Sequence, residues 1–205
     1  MINLIIVGSS PIGKFMVEHI LKAKEAFPCL IVGYIDNDGP SEFYKGFQIR
    51  YLGRYNEVAI SSESKYLIAV ENISLRLKLV EVISGAGGSF FSFIHPTSFL
   101  GKHVTKGEGV FIGPYCFVGD HCHVGSFSIL KSKNILKKNV SIGLFCFLRE
   151  HVVLEDGVSL GDGNYLGASS VIKSSQANHY LHYGRLEKVD SINFKSGQIP
   201  WFGLN

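Results

Sequence analysis

Apolar residues recur along this chain on two different rhythms. From Ser98 to Ser175 the sequence divides without a gap into thirteen hexads, opening SFLGKH, VTKGEG, VFIGPY and closing NYLGAS, SVIKSS. The third residue is Leu, Ile or Val in twelve of the thirteen, Lys106 being the exception. The first is small or β-branched (Ser, Val, Cys or Asn), and the fourth is Gly in eight. A period of six suits neither an α-helix nor an alternating strand. It predicts a parallel β-helix: each hexad is a short strand and a turn, and three hexads close a triangular coil of eighteen residues. Third-position residues then stack inside at eighteen-residue intervals, as Leu100, Val118, Leu136, Leu154 and Ile172. Glycine at the turn is read as supplying positive φ. Cys116, Cys122 and Cys146 open hexads and read as small inward fillers.

The first ninety residues follow the other rhythm. INLIIV (residues 2–7) is a continuous apolar run, the mark of a parallel strand buried on both faces. Gly8-Ser9-Ser10-Pro11-Ile12-Gly13 follows, with Pro11 suited to a helix start and helical periodicity from Lys14 to Ala26. Leu30 to Ile35 reads as a second strand, ended by Asp36-Asn37-Asp38-Gly39. Tyr66 to Val70 reads as another strand and Ser74 to Ser84 as a second helix, with Arg76 near its start; a glycine break (residues 85–88) precedes Ser89 to Ile94. Alternating strand and helix predicts a small α/β, doubly wound, Rossmann-like domain. The glycine loop is either a phosphate cradle at a helix start or a tight turn with no ligand. The acidic cluster is either a partner for a ribose hydroxyl or a solvated turn.

Composition narrows this further. Of the 205 residues, 46% are hydrophobic and 18% charged, which supplies a core and excludes a disordered chain. No apolar run reaches the length of a membrane span. The N-terminal run lacks a basic flank and a cleavage site, so it reads as a strand rather than a signal peptide. A formal charge of +3 gives no ground for a nucleic-acid partner. Four cysteines without CxxC spacing argue against a metal site and a disulfide scaffold, and point to the cytoplasm.

The two halves together, over residues 1 to about 175, resemble the sugar O- and N-acyltransferases typified by sialic acid O-acetyltransferase and the UDP-4-amino-sugar N-acetyltransferases. The resemblance rests on VGSSPIGK, GYIDND, IAVENISLR, IHPTSFLG and the unbroken hexads. It implies a left-handed hand for the β-helix (94–178) and a front domain (1–93) that binds a nucleotide sugar through Gly8, Ser9, Ser10, Gly13, Asp36, Asn37 and Arg76. It also implies a homotrimer with acetyl-CoA between neighbouring β-helices, near Gly143, Ala168 and Lys173. In that family a histidine followed by Glu or Asp lies 43 residues after the histidine of the HP motif and serves as general base. Here the count from His95 reaches Lys138-Asn139.

Lys138 shares its column with Asp120 and Asp156, eighteen residues to either side, an arrangement that favours a charged lysine. The column reads as a structural charge ladder, an anion site or a catalytic position. His121, one coil below Asn139, is the alternative base; His103, His123 and His151 are not picked out by the family pattern. Between Asp120 and Glu150 there is no acidic residue, and Lys131, Lys133, Lys137, Lys138, Arg149, His121 and His123 form either a phosphate-binding patch or a solvated face. In the tail (179–205), Tyr183 to Lys188 keeps the Gly and Lys of a family segment near CoA but not its Pro. Ile199 to Leu204 is apolar.

Overall fold

The computed structural model describes residues 1–178 and 181–182. Its first half is a five-stranded parallel sheet. β1 (Ile2–Val7), β2 (Cys29–Ile35), β3 (Tyr51–Gly53), β4 (Ser64–Ile68) and β5 (Ser89–Phe90) lie in the order β3-β2-β1-β4-β5. Helix α1 (Pro11–Lys22) connects β1 to β2, and α2 (Ile73–Gly85) connects β4 to β5. α1 starts at Pro11 because Ser10 caps it, its side chain accepting from the Gly13 N–H. It ends at Lys22, short of the predicted Ala26. A 3-10 helix, Glu42–Phe47, and β3 were not foreseen; both lie in a stretch without apolar periodicity.

The second half consists of two-residue strands stacked in three parallel sheets of five, four and six strands. This arrangement fits a left-handed β-helix. The predicted stack is present in register, Val118 pairing with Leu100 and Leu136, and Leu154 with Leu136 and Ile172. The coil begins one hexad earlier than the sequence suggested: Phe93–Ile94 pairs with Phe111–Ile112, so Ser92–Thr97 is itself a hexad. The hexad-opening cysteines do more than fill space. Each donates to the carbonyl fifteen residues on, at 2.9–3.2 Å, and burial pushes the Cys116 and Cys146 thiols up to about 11.

The turn chemistry differs from the expectation. Positive φ belongs to the sixth hexad position, at His103, Tyr115, His121, Phe127, Lys133, Asn139, Phe145, His151 and Ser169 as well as at glycines. The fourth-position glycines answer to crowding: a Cβ on Gly119 would meet the Lys137 carbonyl carbon at 2.9 Å, and one on Gly125 the Leu144 nitrogen at 2.8 Å. The coil above, at about 4.8 Å, leaves little room there for a side chain that points along the axis.

The two halves share core. Outward second-position residues of the six-stranded face, Phe93, Phe111, Ile129 and Phe147, pack with Ile12, Met16 and Val17 of α1. At one edge of that face, Phe127 joins the cluster of Leu79, Val80 and Ile83 on α2.

Candidate functional site

The glycine loop lies at the carboxyl ends of β1 and β4, where the strand order changes direction. Open parallel sheets take ligands at such a point. Gly8 has φ +100°, and a Cβ on it would strike Val70. Three neighbours hold the loop. Tyr44 of the 3-10 helix donates its hydroxyl to the Gly8 carbonyl at 2.8 Å. Ser10 Oγ donates to the Ala69 carbonyl at 3.0 Å. Asp36 Oδ2 accepts from the Ser9 N–H at 2.5 Å and from Ser9 Oγ at 2.7 Å, while its Oδ1 accepts from the Asp38 N–H at 2.9 Å. The Asp36 carboxylate is therefore spent on holding the loop. Asn37 is exposed, and its Oδ1 accepts from the Tyr55 N–H.

Arg76 lies elsewhere. It is fully buried, and its guanidinium donates to the carbonyls of Phe127 at 3.2 Å and Phe145 at 2.9 Å. Burial lowers its pKa to about 10, against the raising charges of Cys146 and Glu71. It ties α2 to a corner of the β-helix, and both of these hydrogen bonds go to that corner rather than to the glycine loop.

The triangular coil redistributes the remaining candidates. His103, His121, Lys138 and Asn139 share one corner with Lys173; His103 and His121 stack at 4.8 Å. Gly143 is on the second corner and Ala168 on the third, so one chain does not bring the three CoA candidates together. The ladder at Lys138 is also different from the expectation. Asp156 Oδ1 accepts the Lys138 backbone N–H at 2.9 Å, as Asp120 accepts that of Lys102. The exposed Lys138 ammonium forms no ion pair among the described residues; its neighbour Lys137 does, with Glu155 at 2.5 Å. Nor is the basic stretch one patch. Lys137, Lys138 and His121 lie on the first corner, His123 follows it on the four-stranded face, and Lys131, Lys133, Arg149 and His151 lie on the third corner, beside α1.

On that third corner Glu150 pairs with Lys131, whose ammonium also sits 5.1 Å from the Phe15 ring centre, and approaches Arg149 Nε at 3.6 Å. Burial raises the Glu150 carboxyl, but the Lys131 hydrogen bond and charge outweigh it and hold the group below the usual range. Lower on the same corner, the rings of His19 and His95 meet edge-on at 5.2 Å. They line a depression of about 360 Å³ with Lys22, Thr97, Pro114 and Tyr115. Burial lowers both imidazoles, and the His95 charge adds to the shift at His19. Sequence reasoning missed this pair because it spans the two halves. The tail candidates from Tyr183 onward lie outside the described residues.

No family model matches the sequence. Over 63 residues the chain is 35% identical to the bifunctional protein GlmU of Streptococcus mutans, a stretch covering 31% of this chain and 14% of that protein. Solved structures share the fold. The perosamine N-acetyltransferase PerB of Caulobacter crescentus, in complex with CoA and GDP-perosamine, is 20% identical with a TM-score of 0.67; the match covers 87% of this chain and 92% of that one. The acetyltransferase domain of PglB from Neisseria gonorrhoeae, in complex with acetyl coenzyme A, is 17% identical with a TM-score of 0.65, covering 87% and 94%. WeeI from Acinetobacter baumannii is 16% identical with a TM-score of 0.53, covering 88% and 96%.

Proposed function

We propose that the chain is an acetyl-CoA-dependent acyltransferase-type protein acting on a nucleotide-linked or activated sugar in bacterial surface-glycan synthesis. One observation carries the reading: a parallel sheet with a shaped loop at its switch point shares core with a β-helix, an arrangement matched over 87% of the chain by a protein solved with CoA and GDP-perosamine. In this reading residues 1–93 are a Rossmann-like nucleotide-sugar domain, 94–178 a left-handed acyltransferase-type β-helix and 179–205 a tail. The protein is a cytoplasmic homotrimer, with acetyl-CoA between protomers. No helix among the described residues is long and apolar enough to cross a membrane.

The acceptor amine or hydroxyl attacks the thioester carbonyl carbon, a base takes its proton, and CoA leaves as the thiol. Backbone N–H groups of the turns stabilise the oxyanion. His121 is the base in this reading, being an exposed imidazole on the corner that carries Lys138 and Asn139. A second reading is a non-catalytic sugar-nucleotide-binding or regulatory relative. It is favoured by the absence of an imidazole at 138–139.

The test is binding of acetyl-CoA and a panel of UDP- and dTDP-sugars, followed by turnover with any sugar that binds. Turnover that collapses in His121→Ala and survives Lys138→Ala supports the enzyme. Binding without turnover supports the second reading. A gain of acetyl transfer in Lys138→His/Asn139→Glu, on the order of 10²–10⁴-fold, would then identify the missing base as the whole defect. Failure to bind either ligand overturns both readings.

A further inference from the structure

The glycine loop has few donors left for a phosphate. The Gly8 N–H is bonded to the Ile35 carbonyl, the Ser9 N–H to Asp36 and the Gly13 N–H to Ser10, and Pro11 has none. The carboxylate of Asp36 also stands against the loop and would repel a diphosphate. Little of the loop is thus left to hold phosphate groups arriving at this switch point.

The third corner of the β-helix lies beside α1, the helix that the loop opens. Its turns (95–97, 113–115, 131–133, 149–151, 167–169) carry three cations, Lys131, Lys133 and Arg149, against one carboxylate, Glu150. Helix α1 runs down beside it. His19 meets His95 in the lowest coil, and Phe15 meets Phe111 and Lys131 higher up. One coil of about 4.8 Å above Lys131 stands Arg149. About three residues of helix, at roughly 1.5 Å each, lead from Phe15 back to Ile12. Arg149 is thus level with the first turn of α1, immediately after Ser9 and Ser10. Phe147 of its own strand packs in one cluster with Ile12.

Arg149 hydrogen-bonds Tyr165, and a guanidinium, with five N–H donors, keeps others for a ligand. Arg149 occupies a fourth hexad position, where crowding from the coil above turns a side chain outward. That coil presents Gly167, Ala168 and Ser169 in its turn, while Tyr165 of its strand hydrogen-bonds the Arg149 side chain. Glu150 is taken by Lys131 in the shorter contact, and at 3.6 Å it does not hydrogen-bond Arg149 Nε. Arg149 remains 48% exposed. Burial alone would lower its pKa, but Tyr165, Glu150 and Glu71 raise it, Glu71 lying just beyond β4 at the switch point.

We propose that Arg149, rather than the glycine loop, holds the phosphate groups of a nucleotide-linked ligand, and that the loop faces the nucleoside. This rests on the nucleotide-sugar reading above and identifies which part of the ligand each half recognises. An arginine fork suits a diphosphate because it donates in parallel to two oxygens.

The test is calorimetric titration of the full chain with CoA and with the nucleoside, monophosphate and diphosphate of uridine, thymidine and guanosine, for the wild type, Arg149→Ala and Arg149→Lys. Wild type should bind the diphosphate of its preferred base more tightly than the monophosphate, and the monophosphate more tightly than the nucleoside. Arg149→Ala should lose about ten- to a hundredfold for the diphosphate and compress that series. Arg149→Lys should recover part of the loss. An unchanged series in Arg149→Ala, an equal loss at every rung, or a loss confined to CoA overturns the proposal while leaving the nucleotide-sugar reading in place. A wild type that binds none of the nucleosides or nucleotides overturns both.

Discussion

Tyr44 shows how much one side chain decides at the loop. It is fully buried, its hydroxyl holds the Gly8 carbonyl, and it lies where a Cβ on Gly13 would have to go. Gly13→Ala should therefore push Tyr44 off Gly8 and lower stability by about 1–3 kcal/mol, measured by denaturant unfolding. Tyr44→Phe, which keeps the ring and loses one buried hydrogen bond, should cost about 1 kcal/mol and loosen ligand binding at the loop. A Gly13→Ala variant as stable as the wild type would show that the loop is not packed this tightly. The His19–His95 pair gives a pH prediction. Both imidazoles are lowered in the folded chain, first by burial. Below the unfolded value near 6.5, the unfolded chain therefore binds more protons than the folded one. Stability should fall as pH drops from about 6.5 toward the folded values, and His19→Phe should flatten that fall. Melting temperatures from pH 7.5 to 5 read this directly; equal slopes in variant and wild type would remove the pair as the cause.

At the scale of elements, the β-helix rests on stacks running along the prism. Leu136 is fully buried between Val118 and Leu154, whereas its neighbour Ile135 is 40% exposed. Leu136→Ala should cost about 2–5 kcal/mol, and Ile135→Ala far less in the isolated chain. Equal costs would mean that the six-residue rhythm does not set which side faces inward. That rhythm was legible because twelve of thirteen hexads place Leu, Ile or Val at the same inward position. The turn conformation was not, because the left-handed sixth position tolerates His, Tyr, Phe, Lys, Asn and Ser alike and leaves no residue signature. The surroundings of Arg76 were hidden for another reason: its ligand role came from the family resemblance, and nothing local reveals that carbonyls 51 and 69 residues away accept from it. Likewise Asp36 is marked by its strand end, but its commitment to Ser9 depends on how β1 and β2 align.

For the whole molecule, the three faces of the prism have different fates. One is covered by the front domain. The four-stranded face presents Thr105, His123, Ser141 and Ser159. The five-stranded face presents Phe99, Phe117, Ile135 and Val171, between 38% and 57% exposed, with Phe99 and Phe117 stacked at 5.2 Å. A continuous apolar row of this kind is a natural contact for a second copy, each large side chain contributing roughly 1.5–3 kcal/mol when fully buried. In the proposed donor site, Gly143, Ala168 and Lys173 lie on three corners and would meet around one acetyl-CoA only if different protomers supplied them. Assembly and donor binding should therefore be lost together, while the nucleotide site, built from one chain, is retained. Phe117→Glu places a charge in the middle of the row and keeps the inward stack intact. It should convert a trimer at micromolar concentration into monomers by light scattering, abolish acetyl-CoA binding and leave nucleotide-sugar binding within about threefold, a residual of under 1 kcal/mol. A monomeric Phe117→Glu that still binds acetyl-CoA would place the donor site within one chain. A wild type that is itself monomeric would leave the apolar row without the partner assigned to it.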